Sequence, residues 1–134
     1  MQARGIHHVG IAVADLDEAV DTYRRLFGAE LEGRGTIRGQ NVEAASLVLG
    51  SGRVELVSPL DEDSTVARFL AKRGPGMHHL AYEVDDVQAA LDSLAGEGAR
   101  LIDEEPHEGL FGLQVAFVHP ESVHGVLAEV VSSG

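Results

Sequence analysis

Residues 5–20 read GIHHVGIAVADLDEAV, and residues 76–91 read GMHHLAYEVDDVQAAL. The two stretches align without a gap. Gly5/Gly76, His7/His78, His8/His79, Val13/Val84, Asp15/Asp86 and Ala19/Ala90 are identical, and Ile6/Met77, Val9/Leu80, Leu16/Val87 and Val20/Leu91 are apolar in both. Self-similarity of this kind marks a duplicated structural unit. Each copy later reaches an apolar segment holding one glutamate, RVELV around Glu55 and LAEVV around Glu129. The halves therefore match throughout, apart from a small insertion or deletion.

Working outward from the repeat gives the elements of each half. Residues 6–13 alternate in polarity as a strand does. Asp15 with Glu18 three residues on has the form of a capping box, and the helix that follows runs to about Phe27, with Leu16, Ala19, Val20, Tyr23 and Phe27 on one face and Gly28 as its stop. Residues 34–40 add a short strand. Residues 42–49 and 53–57 are strands joined at Gly50-Ser51-Gly52. The second half repeats the plan: strand 78–84, a helix over 87–94 ended by Gly96 and Gly98, then strands at 99–102, 114–118 and 126–131. Residues 61–74 between the halves read as a helix capped by Asp63 or Ser64 and closed by Gly74. The expected fold is α+β: two tandem βαβββ modules forming a shared metal-binding cleft within a single domain of residues 1–134. Module one covers about 5–60, the linker helix about 63–73 and module two about 76–132.

Strand parity then singles out side chains. His7, Val9, Ile11 and Val13 form a bulky face that packs under the helix, whereas His8, Gly10 and Ala12 form a small face that leaves space. In the second copy His79 and Ala81 stand in the same way. Glu55 and Glu129 lie in strands that are otherwise nearly apolar, where an unpaired carboxylate costs several kcal/mol. A cation resolves that cost. His8, Glu55, His79 and Glu129 are thus one candidate divalent metal site, of the donor type that suits Zn, Co, Ni, Mn or Fe(II) with open positions for water or substrate. His7 and His78 fall to structural or hydrogen-bonding roles, and His107, His119 and His124, which lack the small-residue setting, to structural or surface ones.

Composition narrows the function. The 134 residues include no Cys, which excludes disulfides, thiolate zinc sites and catalytic thiols. With 22 acidic against 10 basic residues the net charge is −12, a surface that repels nucleic-acid backbones. No apolar run approaches the length of a membrane helix, and residues 1–5 show no signal pattern. The expectation is a cytoplasmic protein without nucleic-acid or membrane partners.

The tandem halves with His/Glu/His/Glu in this order resemble the vicinal oxygen chelate superfamily (glyoxalase I, extradiol dioxygenases, antibiotic-resistance proteins). Within it, IHHVGIAVADLDEAV, SPLDEDSTVARFLAKRGPGMHH, LIDEEP, VAFVHPES and HGVLAEVV resemble the methylmalonyl-CoA epimerase family over nearly the whole chain. The resemblance implies a glyoxalase-like fold and epimerisation at C2 of methylmalonyl-CoA, a 1,1-proton transfer through a metal-stabilised enolate. It places the metal ligands at His8, Glu55, His79 and Glu129, gives Glu129 an acid/base role, and implies a divalent ion, Co2+ ahead of Zn2+, Ni2+ and Mn2+. Some family members carry a second acid/base glutamate where Ala44 stands here; Glu43 next to it points to the other face.

An acyl-CoA substrate further implies contacts from Gln40, which could orient a water, from Lys72 and Arg73 with Arg34, Arg38 and Arg53 as further cations for phosphate, and from the Gly109–Gly112 loop. A homodimer is expected, because paired halves leave sheet edges exposed. The rival readings are a glyoxalase I-like isomerase, another metal-dependent enzyme of the superfamily, and a drug-sequestering resistance-type binding protein.

Overall fold

A computed structural model describes residues 1–133. The chain falls into two compact units, one from His8 to His78, the other joining Met1–His7 to the chain from His79 onward.

The first unit takes most of β1 (Gly5–Ala12), then α1 (Leu16–Phe27), β2 (Glu30–Ile37), β3 (Val42–Leu49), β4 (Gly52–Pro59) and α2 (Thr65–Arg73). Its strands lie in the order β2-β3-β4-β1. β1 and β4 are parallel, with Val9 opposite Val54 and Gly10 opposite Glu55, while β3 runs antiparallel to both its neighbours. α1 begins where the Asp15 carboxylate accepts the Glu18 N–H at 3.0 Å and ends at Gly28, whose φ of 67° is open to glycine at little cost. Val13, Leu16, Val20, Ala45, Leu47 and Leu56 form the core between α1 and the sheet, with Ile11 and Tyr23 packed against it. Phe27 departs from the expected helix face: it is 65% exposed, its ring lies 5.8 Å from that of Tyr23, and Ala29, just past the Gly28 turn, is the buried residue at that end. The strand expected at 34–40 begins earlier and stops at Ile37, because Arg38–Gln40 turn as a 3-10 helix into Asn41 at φ 56°. Ser64 is the cap of α2, its hydroxyl accepting the Val66 N–H.

The second unit contains β5 (Gly76–Glu83, from His79), α3 (Val87–Gly96), β6 (His107–Glu108), β7 (Gln114–Val118) and β8 (Ala128–Ser132), in the order β5-β8-β7-β6. β5 and β8 are parallel, with Ala81 opposite Glu129, and β7 is antiparallel to β8. Asp86 caps α3 as Asp15 caps α1, accepting the Ala89 N–H at 2.9 Å. Val84, Val87, Ala90, Leu91, Ala116 and Val130 make this unit's core. The first residues of the chain are fastened here: Arg4 N–H donates to Glu83 O at 2.8 Å, the Arg4 side chain pairs with Asp85, and the Met1 amine reaches Ser93 Oγ at 3.3 Å. The strand expected at 99–102 is reduced to a single bridge between Leu101 and Val118. The Asp103 carboxylate takes the Phe117 N–H at 2.8 Å, so a side chain does what a strand's backbone would have done. Gly96 lies inside α3, which Glu97 ends.

Candidate metal centre

The register explains why each half presents a histidine beside a glutamate. Residues two apart on a strand share a face, and partners in register share it too. His8 and Gly10 are two apart, and Gly10 faces Glu55 across the β1–β4 pair. Glu55 therefore stands over a residue without a side chain, where it can lean toward the imidazole: His8 Nε2 lies 3.2 Å from Glu55 Oε2. The second half reproduces this through different residues. Ala81, two past His79, faces Glu129 across β5–β8, and His79 Nε2 lies 3.6 Å from Glu129 Oε1. Each half thus sets a strand histidine beside a strand glutamate.

The surroundings differ from the expectation in one respect. The face of His8, Gly10 and Ala12 was expected to be open, yet all three are buried, with His8 at 3% and Ala12 at 0% exposure. His79 and Glu129 are equally enclosed. Small side chains here admit close packing against the ligand positions rather than a broad open space. Burial holds the His8 imidazole below its usual range; the Glu55 charge opposes that shift and Arg53 adds to it. Burial pushes the Glu129 carboxyl up to about 8, and the charge of Asp103 acts in the same direction. A carboxyl so placed favours a proton, or a cation in its stead.

Around the second pair, the Phe117 ring meets the His79 ring edge-on at 5.6 Å, and Phe117 faces Glu129 across the β7–β8 ladder. Asp103 grips Phe117 by its amide and lies 3.1 Å from His107 Nε2 with its other oxygen. The half-buried Asp103 carboxylate thus belongs to the surroundings of Glu129. No periodic signal marks it. His78 takes a structural place, its ring edge-on to Phe69 at 5.1 Å.

The other candidate residues are spread more widely. Ala44 is fully buried, and Glu43 on the opposite face pairs with Arg34 at 3.2 Å, which also binds Asp17. Gln40 is half-buried at the end of the 3-10 turn. Lys72 and Arg73 form the exposed last turn of α2, with the Arg73 guanidinium 5.8 Å from the Phe69 ring centre. In the 109–112 loop, a side chain at Gly109 would come within 2.9 Å of Val115 Cγ1, and Gly112 has φ 74°. Gly112 is called for by its backbone, whereas Gly109, in extended conformation, is kept small by the Val115 side chain. Arg34 and Arg53, further candidates for phosphate, are engaged with carboxylates, Arg53 with Glu32.

Residues 7–117 match the family model of the glyoxalase/bleomycin resistance protein/dioxygenase superfamily. Over 127 residues the chain is 39% identical to the ethylmalonyl-CoA/methylmalonyl-CoA epimerase of Cereibacter sphaeroides, covering 93% of this chain and 95% of that one. The chain belongs to this superfamily, within its methylmalonyl-CoA epimerase family. The crystal structure of the epimerase from Mycobacterium tuberculosis superposes with a TM-score of 0.94 at 38% identity, covering 98% of this chain and 89% of its own. A solved epimerase in complex with methylmalonyl-CoA and NH4+ gives 0.95 at 37% identity, covering 99% and 96%. Membership in the epimerase family fits the two His–Glu pairs, and the duplicated chain has the fold that the superfamily shares.

Proposed function

We propose that the chain is a metal-dependent epimerase acting at C2 of methylmalonyl-CoA, with His8, Glu55, His79 and Glu129 holding one divalent ion. The observation that carries this reading is the repeated register, Gly10 opposite Glu55 and Ala81 opposite Glu129, which sets a buried imidazole beside a carboxylate twice. The donor set fits a metal: two imidazoles and two carboxylates neutralise a dication, and each unit supplies one buried imidazole with a carboxylate beside it. Co2+ is our first choice, ahead of Zn2+, Ni2+ and Mn2+. When bound, such an ion supplies a Lewis acid for the negative charge that develops on the substrate's oxygens.

The chain's own residues handle the proton. The C2 hydrogen lies between a thioester and a carboxylate, so it is acidic for a C–H bond. Glu129 is the base we assign to one face of C2, where it serves as both ligand and base. With Ala44 in place of a second glutamate, water oriented by Gln40 returns the proton on the other face. The exposed cations Lys72 and Arg73 suit the CoA phosphates, and Gly109 and Gly112 suit a loop against the acyl chain. A homodimer in the cytoplasm is the expected setting. No helix among the described residues is long and apolar enough to cross a membrane.

The test is proton exchange. Metal-loaded protein and one epimer of methylmalonyl-CoA are incubated in D2O, with chelated and enzyme-free controls. Metal-dependent deuteration at C2 with loss of stereochemistry is the expected result. Deuteration with retention places a working base on only one face. No exchange by a protein of full metal content rejects this substrate.

A further inference from the structure

Ser46 and Phe117 hold the same place in the two halves. Ser46 faces Glu55 across β3–β4, and Phe117 faces Glu129 across β7–β8. Their backbones are held by different means. Ser46 is paired with Gly33 on β2, just past the bulge that leaves Glu32 as an extra residue. Beside Phe117 runs the stretch that forms only the Leu101–Val118 bridge. There the Phe117 C=O accepts the N–H groups of Ile102 and Asp103, each at 3.1 Å, and the Phe117 N–H donates to the Asp103 carboxylate at 2.8 Å. Asp103 thus holds both backbone polar groups of Phe117.

The hold is stronger than a strand's. A carboxylate makes a charge-assisted hydrogen bond, roughly twice as strong as the neutral one a strand carbonyl would make. The Asp103 side chain is 20% exposed, and its other oxygen, 3.1 Å from His107 Nε2, fixes the plane of the carboxylate. What is held is a ring that touches the metal centre of its own unit. Phe117 meets the His79 imidazole edge-on, with centroids 5.6 Å apart and planes at 87°, and His79 Nε2 lies 3.6 Å from Glu129 Oε1. An edge-on aromatic contact has a preferred geometry, so a fixed phenyl ring restricts the rotation of the imidazole. Ligand affinity depends on such outer contacts, because they hold the donor atom in its binding orientation.

We propose that Asp103 is a positioning residue of the metal centre: its hold on Phe117 keeps that ring against His79, and so keeps the imidazole turned toward Glu129. The proposal rests on the metal-centre reading and adds to it a residue that acts through another.

The test combines metal binding with a signal from the metal-free protein. Co2+ binding is measured by calorimetry for wild type, Asp103→Ala, Asp103→Asn, Asp103→Glu, Phe117→Leu and the Asp103→Ala/Phe117→Leu double variant. The His79 imidazole proton shift is followed by NMR in the same proteins without metal, assigned by its absence in His79→Gln. Asp103→Ala and Phe117→Leu are each expected to weaken Co2+ binding by about tenfold, and the double variant no more than either alone, since both remove one support. Asp103→Ala also moves the His79 signal toward its position in Phe117→Leu. Asp103→Asn loses the charge, keeps an acceptor for the Phe117 N–H, and is expected to stay within about two-fold of wild type. Asp103→Glu keeps the charge, displaces the carboxylate by a methylene and falls with the alanine variant, which it replaces if that one does not fold. A loss of about 100-fold in the double variant means two independent effects and overturns the proposal. So does an asparagine variant as weak as alanine, or a His79 signal unmoved in Asp103→Ala. If the wild type takes up no Co2+, the metal reading falls, and the His79 shift alone decides whether Asp103 positions the imidazole.

Discussion

The two halves build the same pair in opposite electrical surroundings. In the first, His8 and Glu55 have a cation for a neighbour, Arg53, itself held by Glu32. In the second, His79 and Glu129 have an anion for a neighbour, Asp103, and Glu129 is the more deeply enclosed glutamate, with its side chain 4% exposed against 12% for Glu55. Duplication copied the geometry of the His–Glu pair and left its surroundings free to diverge. One carboxylate is suited to remaining a ligand. The other, raised to about 8, is suited to exchanging protons.

The sharpest way to break this comparison is to treat the two glutamates alike. Glu129→Gln is expected to lower C2 exchange by about 10³-fold, the range for loss of a general base. Glu55→Gln keeps an oxygen donor and should cost about tenfold, a loss on the scale of disturbed ligand support. Deuterium incorporation measures both, and equal losses would remove the division of roles.

The histidines should not divide in this way. His8→Ala and His79→Ala are each expected to weaken metal binding by about 100-fold or more, since a ligand is lost outright. Elemental analysis after dialysis against a buffered metal solution measures the loss. Full occupancy in either variant removes that histidine from the ligand set.

Stability of the metal-free protein against pH sharpens the contrast further. Glu129 titrates near 8 in the folded chain and from 4.5 in the unfolded one. Between those values the folded state holds a proton that the unfolded state has released, so stability falls as pH rises through this window, by about 1.4 kcal/mol per unit at most. Urea unfolding of EDTA-treated protein at pH 5, 6.5 and 8 should show the decline, and Glu129→Gln should flatten it. A decline unchanged in that variant would place its origin elsewhere.

The smallest expected effect tests where the halves stay alike. Asp15→Ala and Asp86→Ala each remove one carboxylate that accepts an N–H at a helix start. Each should cost about 1 kcal/mol by urea denaturation. A large inequality would show that the scaffold has diverged along with the site.

These contrasts also mark how far the sequence could be read. The repeated HisHis, the lone glutamates in apolar strands and the Asp15 and Gly28 signals are local, and periodicity carries them directly into structure. Glu32 escaped notice because a bulge interrupts the alternation that parity arguments depend on. Asp103 escaped because it follows a stretch that forms one bridge and no strand, and its partners, Phe117 and His107, are set by tertiary folding. Phe27 misled for the opposite reason: it keeps helical phase, but at the last turn there is no longer a core to receive it.

The fastening of the chain's first residues to the second unit has a consequence for biosynthesis. Arg4 bonds Glu83, and the Met1 amine reaches a residue 92 positions away. Contacts of such separation form late, because the intervening chain must first be closed into a loop. Residues 1–7 precede their partners in synthesis and are paired only once those partners have been made. A nascent chain stalled before residue 83 can fold much of its first unit, yet holds its opening segment exposed. That segment contains Ile6, an apolar side chain of β1 that is 64% exposed even in the folded chain.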